Sequence, residues 1–215
     1  MYAAALALVA VASLWALSAS PAGGGLPLLR AAATGGSSSS SSSVVVLSTA
    51  HGDISVRFRP DLSPESVAYV REVAEKGKCA HCSLYRSEGT DILQGIAKTD
   101  GIRANTVLGP CPLGAEQGKE EGKEKCPSHD PGCGCHGPVM TRGMVGWAGG
   151  GGGPDFFVDT FAEPAVFWRN WHTVWGTVED EESLAVIGRI HALPKRDRGG
   201  MTMLEKDVPF TLSLR

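Results

Sequence analysis

From Val44 onward the apolar residues fall in short runs broken by turn residues. Val44 to Ser48 is a β-branched run, and Ile54, Val56 and Phe58 alternate with polar neighbours. Both read as strands, joined around Gly52-Asp53, a hairpin turn signal. Ser63-Pro64 opens a helix, with the serine as N-cap and the proline in the first turn. Val67, Val70 and Ala74 recur at helical spacing, and Gly77 suits the residue just past the helix end. Met144 to Ala148, Phe156-Phe157-Val158 and Thr173 to Val178 are further short apolar segments, the first two separated by the glycine run Gly149 to Gly153. Glu181 to Leu193 reads as a second helix with Leu184, Ile187 and Ile190 inward and Pro194 as its stop; Val208 to Leu214 alternates as a last strand. Many short strands with two helices predict a mainly β domain, a closed antiparallel barrel capped by the helices. Phe156 and Phe157, on alternate faces of one strand, place one ring in the barrel core and leave the other free to floor a pocket.

The first forty or so residues follow another pattern. Tyr2 to Ala19 is apolar except for Ser13 and Ser18, which fits either a signal peptide or a short signal anchor. Ser20-Pro21-Ala22 offers small residues at the spacings a signal peptidase reads, and Arg30 is the first basic residue. Residues 20–43, with Gly23-Gly24-Gly25, Gly35-Gly36 and the serines from Ser37, bury too little to offset their ordering entropy and read as a linker. The folded domain is expected over 44–215, in the lumen of the secretory pathway or outside the cell, with the membrane as partner if the first segment stays uncleaved. No Asn-x-Ser/Thr sequon is present.

Of the 215 residues, 20 are basic and 23 acidic, a net charge of -3 that gives no electrostatic case for nucleic acid. The roughly 170 residues of the domain suffice to bury about 70% of their unfolded surface around one core. All six cysteines, Cys79, Cys82, Cys111, Cys126, Cys133 and Cys135, fall at or within a Gly-, Pro- and charge-rich insert at about 98–138 or just ahead of it. Three readings stay open. In an oxidising lumen an even number of cysteines forms disulfides that staple the insert, with fifteen pairings possible. Cys79-Ala-His-Cys82 and Cys133-Gly-Cys135-His136 also have the chemistry of a zinc site, and Cys79 to Cys82 has the spacing of a redox pair. Disulfides without a bound metal are the expectation.

The order hairpin, helix, Leu84-Tyr85-Arg86, then Leu93-Gln94-Gly95 resembles the cyclophilin family of peptidyl-prolyl isomerases, in which a Gln-Gly pair follows the arginine at this spacing. Gly143-Met144-Val145-Gly146-Trp147-Ala148 followed by Asp155-Phe156-Phe157 is similar to the family's Gly-x-x-x-Met-Ala and Gln-Phe-Phe segments. Trp171-His172-Thr173-Val174-Trp175-Gly176 is similar to its Lys-His-Val-Val-Phe-Gly segment. The resemblance covers Val44 to the C-terminus apart from the insert, and implies an eight-stranded barrel. It also implies that Arg86 polarises the prolyl amide, Gln94 bonds the substrate backbone, Phe157 floors the proline pocket and His172 lines it. Ile92, Ala148, Phe167 and Trp168 would complete the substrate contacts, with Ala148 against the residue before the proline.

Those residue types suit the chemistry. Amide resonance sets a rotation barrier of roughly 18–20 kcal/mol, and it falls when the prolyl nitrogen becomes pyramidal. A permanently charged, rigid fork of donors aimed at that nitrogen stabilises the twisted state more than the planar one. No metal or cofactor is required. Two departures from the family pattern matter. Asp91 and Ile92 stand where the family has Phe and Met, which removes an aromatic wall and sets a carboxylate to pair with Arg86. Phe167, with Trp168 beside it, stands where the family has Trp. The expected function is a prolyl isomerase assisting folding of secretory proteins, its partners proline-containing peptides; the alternative is a catalytically impaired module that binds such peptides.

Overall fold

The computed structural model describes residues 42–77, 79–102, 137–149, 152–169 and 171–215, all within one compact unit, Ser40–Arg215. The N-terminal segment, the linker up to residue 41, most of the insert and Cys111, Cys126, Cys133 and Cys135 lie outside the described residues.

The elements in chain order are β1 (Val44–Thr49), β2 (Gly52–Phe58), α1 (Pro64–Glu75), β3 (His81–Glu88), β4 (Ile92–Lys98), β5 (Met144–Trp147), β6 (Asp155–Asp159), β7 (Val174–Val178), α2 (Glu181–His191), β8 (Lys195–Arg198) and β9 (Met201–Leu214). The sheet runs β1-β2-β7-β5-β6-β4-β3-β9, and β1 pairs with β9 to close the ring. Every pairing is antiparallel. The result is the expected eight-stranded closed barrel, with β8 attached outside the ring as a hairpin on β9. Closure removes sheet edges that would otherwise invite pairing with other chains.

Alternation along the strands fills the interior with Leu47, Val56, Leu84, Val145, Trp147, Phe156, Trp175 and Phe210. Trp147, Trp175, Phe156 and Phe210 contact one another edge-on or tilted, with centroids 5.5–6.0 Å apart. Helix α1 packs against β9, β7 and β4, and α2 against β2 and β3. The Trp147 indole donates from Nε1 to Ser66 Oγ of α1 (2.8 Å), so this fully buried ring carries no unpaired donor. Gly95 lets β4 approach β3: a Cβ there would sit 2.6 Å from the Ser83 carbonyl oxygen.

Several local expectations shift. The β1–β2 turn is made by Ala50-His51, and Gly52 already belongs to β2 with φ +122. Ser63 stands at the N-cap of α1, but its hydroxyl donates to Ser66 Oγ (2.6 Å) rather than capping a helix amide, and the same Ser66 oxygen accepts from the Trp147 indole. Helix α2 ends at His191, two residues early, with Asp180 as N-cap accepting from the Ser183 amide (2.8 Å). Ile187 and Ile190 are buried as expected; Leu184 is half-buried, and Val186 takes a fully buried place. The last strand begins seven residues early at Met201, because Gly199 and Gly200 (φ +64 and +83) form a tight hairpin with the exposed, charged β8.

Candidate functional site

On β6, Phe156 points into the barrel core, while Phe157 joins a second apolar cluster with Ile92, Met140 and Val174 on the opposite face of the sheet. Around that ring lies a cavity of about 200 Å3 lined by Arg86, Ile92, Gln94, Ala148, Gly149, Phe157, Trp168 and His172. Strand pairing brings the polar residues to it: Arg86 of β3 stands opposite Gln94 of β4, and Gln94 opposite Phe157 of β6.

Three rings form the apolar wall. Phe157 meets His172 at 4.8 Å and Trp168 at 5.2 Å, and Trp168 meets His172 at 5.3 Å, all edge to face. His172 Nδ1 lies 3.0 Å from the Trp147 carbonyl oxygen; a carbonyl only accepts, so Nδ1 carries a proton. Trp168 is presented by a single 3-10 turn, Val166–Trp168, whose start is tied down by the Ala165 amide bonding the Met140 carbonyl (2.9 Å). Arg169 follows with φ +51, a conformation that non-glycine residues rarely take.

The polar side is one directional chain of hydrogen bonds. The Tyr85 hydroxyl donates to Asp155 Oδ1 (2.7 Å), so it can only accept from Gln94 Nε2 (2.6 Å). That fixes the Gln94 amide with Oε1 toward Arg86, whose Nη1 donates to it at 2.9 Å. Arg86 Nε donates to Glu88 Oε1 (2.9 Å), which also accepts from the Thr202 amide (2.8 Å). A β-bulge makes this possible: β3 shifts register between Leu84 and Arg86, so Tyr85 is the extra residue and both Tyr85 and Arg86 reach Gln94. Burial, and then the bond to Asp155, push the Tyr85 hydroxyl above its ordinary pKa, which keeps its proton in place. Burial alone would raise the Glu88 carboxyl, but the Thr202 amide and the Arg86 guanidinium outweigh it and hold the group below the usual range.

A family model described as "Cyclophilin type peptidyl-prolyl cis-trans isomerase/CLD" matches residues 44–209. The chain belongs to the cyclophilin family. Among solved structures, it is similar to a cyclophilin-type peptidyl-prolyl cis-trans isomerase of Cryptosporidium parvum, crystallised in the presence of the dipeptide Ala-Pro. The two share 13% identity at a TM-score of 0.52, over 80% of this chain and 98% of that one. It is also similar to the cyclophilin AquaCyp293 from Hirschia baltica, with 15% identity and a TM-score of 0.50 over 80% of this chain and 74% of that one. A search of curated proteins by sequence finds no significant match. At these identities the structural likeness speaks for the cyclophilin fold.

In this cyclophilin the structure brings together Arg86, Gln94, Phe157, His172, Ile92, Ala148 and Trp168. It leaves Phe167 out: that ring is 59% exposed and packs on Phe161 (5.3 Å), while its neighbour Trp168 supplies the wall. Asp91 is exposed and does not pair with Arg86; its amide closes the β3–β4 turn onto the Glu88 carbonyl (2.8 Å). The carboxylate on the guanidinium is Glu88, which the sequence reading missed although the i, i+2 spacing from Arg86 in a strand puts both on one face. Cys79 and Cys82 form a disulfide with Cα atoms 5.6 Å apart, and no His, Cys, Asp or Glu cluster fit for a metal occurs among the described residues.

Proposed function

We propose that this protein is an active peptidyl-prolyl cis-trans isomerase. One observation carries the reading: Arg86 and Gln94 share a small cavity with Phe157, Trp168 and His172. A prolyl ring suits the three edge-to-face aromatics. Gln94 keeps one amide proton beyond the bond to Tyr85, a donor for the substrate backbone. Arg86 Nε is held by Glu88 and one Nη1 proton by Gln94, and Nη2 has no protein acceptor among the described residues. A donor held there stabilises the pyramidal prolyl nitrogen more than the planar amide, and only that difference accelerates rotation. The Ala-Pro dipeptide present with the Cryptosporidium parvum structure supports proline-containing peptides as the ligand class.

A second reading, a module that grips such peptides without turning them over, draws on the Glu88 carboxylate that offsets part of the Arg86 charge. Exchange spectroscopy on a proline peptide separates the two. The isomerase reading expects acceleration that falls about a hundred-fold in Arg86→Ala, with peptide binding reduced far less. Binding without acceleration by the wild type would leave the module.

We further propose a lumenal location in the secretory pathway, serving the folding of proteins there. The apolar run Tyr2 to Ala19 supports this, as anchor or cleaved signal, and so does the Cys79–Cys82 disulfide, a bond that persists in oxidising compartments. Protease protection in microsomes tests it; a cytosolic, protease-sensitive chain refutes it.

A further inference from the structure

We infer that Glu88 is a positioning residue for the guanidinium of Arg86, tying the donor over the proline cavity to the β8–β9 hairpin; this rests on the isomerase reading above. The observation is the shared oxygen. Glu88 Oε1 accepts from Arg86 Nε at 2.9 Å and from the Thr202 backbone amide at 2.8 Å. The carboxylate is therefore anchored from β9 by a backbone group that cannot swing away, and it holds the arginine by one edge. Arg86 itself pairs with Met203 in the ladder, next to Thr202.

The other edge is fixed from the opposite direction. Asp155 sets the direction of the Tyr85 hydroxyl, Tyr85 sets the flip of the Gln94 amide, and Gln94 Oε1 receives Arg86 Nη1. A guanidinium gripped at Nε and Nη1 retains little rotational freedom, which matters because a donor aimed at a prolyl nitrogen works only over a narrow range of directions. The side chains of Arg86 and Glu88 are each 25% exposed, enough contact with water that the pair adds little to stability, while the geometry it imposes is retained. Glu88 thus serves orientation rather than folding.

The test compares Glu88→Ala with Glu88→Gln, whose amide oxygen can still accept from both Arg86 Nε and Thr202. Isomerisation is followed by exchange spectroscopy, and the Arg86 Nε–H resonance by proton–nitrogen correlation. Glu88→Ala is expected to lower kcat about ten-fold with KM within about two-fold, and to lose the slowly exchanging Nε–H signal. Glu88→Gln is expected to recover both, kcat to within about three-fold of wild type. Equal kcat in Glu88→Ala and wild type, or an Nε–H signal that survives in Glu88→Ala, would overturn the inference. If Glu88→Ala fails to fold, Tyr85→Phe probes the other edge: freeing the amide flip should broaden the same signal, and an unchanged signal counts against the two-sided grip. An inactive wild type removes the isomerase reading alone, and the Nε–H signal still decides whether Glu88 holds Arg86.

Discussion

His191 should make this domain lose stability on mild acidification, and its hydrogen bonds say why. Thr160 Oγ1 gives its only proton to the Thr90 carbonyl (2.6 Å), so toward His191 Nε2, at 3.2 Å, it acts as acceptor. Nε2 therefore carries the proton and Nδ1 accepts from Ser87 Oγ at 2.6 Å. Protonating Nδ1 would force the hydroxyl of the fully buried Ser87 to turn and accept, and its own proton would lose its partner. Burial first, then the Lys195 charge, depress the imidazole from 6.5 to about 4, with Arg142 adding and Asp91 opposing. The folded pKa lies below the unfolded one, so above pH 6.5 both states are neutral and the stability is whole. As pH falls from about 6.5 to about 4 the unfolded chain takes up a proton that the native one refuses, and stability drops; below 4 it levels. A depression of that size corresponds to about 3 kcal/mol. The ring keeps partial contact with water, which screens the cost to about 2 kcal/mol. Urea unfolding of the wild type and of His191→Gln from pH 7.5 to 4.5 isolates the term, because carboxylates common to both proteins cancel. The wild type should lose about 2 kcal/mol more than the variant over that range, and parallel curves would refute the tautomer and the burial argument together.

Two further outcomes follow from the same geometry. Ser66→Ala removes the acceptor of the buried Trp147 indole and the partner of the Ser63 hydroxyl, and should cost about 1–3 kcal/mol of unfolding free energy, read from denaturant unfolding; a loss below about 0.5 kcal/mol would mean that the indole finds another acceptor. Trp168→Ala removes a ring that touches Phe157 and His172 and should weaken proline-peptide binding about ten-fold, while Phe167→Ala should change it less than about two-fold. The reverse order in a titration would place the proline on the other aromatic.

The features legible in the sequence were those set by strand periodicity and ladder spacing. Alternation put one of Phe156 and Phe157 inside, the resemblance assigned Phe157 to the pocket, and the eight-residue step from Arg86 to Gln94 is the step across one hairpin. The features that were missed depend on backbone irregularities with no compositional signature. A bulged Tyr85 cannot be told from a regular strand residue by its neighbours, yet it decides the direction of the Gln94 amide. The choice of Trp168 over Phe167 is made by the short turn and the positive φ of Arg169. Strand β8 carries only charged residues and forms because β9 and two glycines hold it, so apolar alternation could not find it. Glu88 is the exception: its spacing from Arg86 was a readable signal, and the sequence-distant Thr202 amide was not.

The two departures from the family pattern bear on catalysis in a way the sequence alone would misjudge. Losing an aromatic at Asp91 would open the pocket if nothing replaced it, but Asp91 lies in the exposed β3–β4 turn and Ile92 fills the floor beside Phe157. Trp168, on a different element, closes the wall against both Phe157 and His172. A carboxylate on the arginine would abolish a charge effect if it covered the whole fork. Glu88 takes the Nε proton and Gln94 one Nη1 proton, from different edges of the fork, so three of the five N–H donors remain. What remains is a donor edge with its orientation already fixed, and a donor that need not reorganise during reaction is worth more in a partly dry cavity than a freely moving cation in water. The field lost to Glu88 weakens the pull on the nitrogen lone pair of the twisted amide, and the orientation gained offsets that loss by fixing the donor where the lone pair develops. The carboxylate should therefore act on turnover rather than on peptide affinity, and that split distinguishes a tuned isomerase from an impaired one.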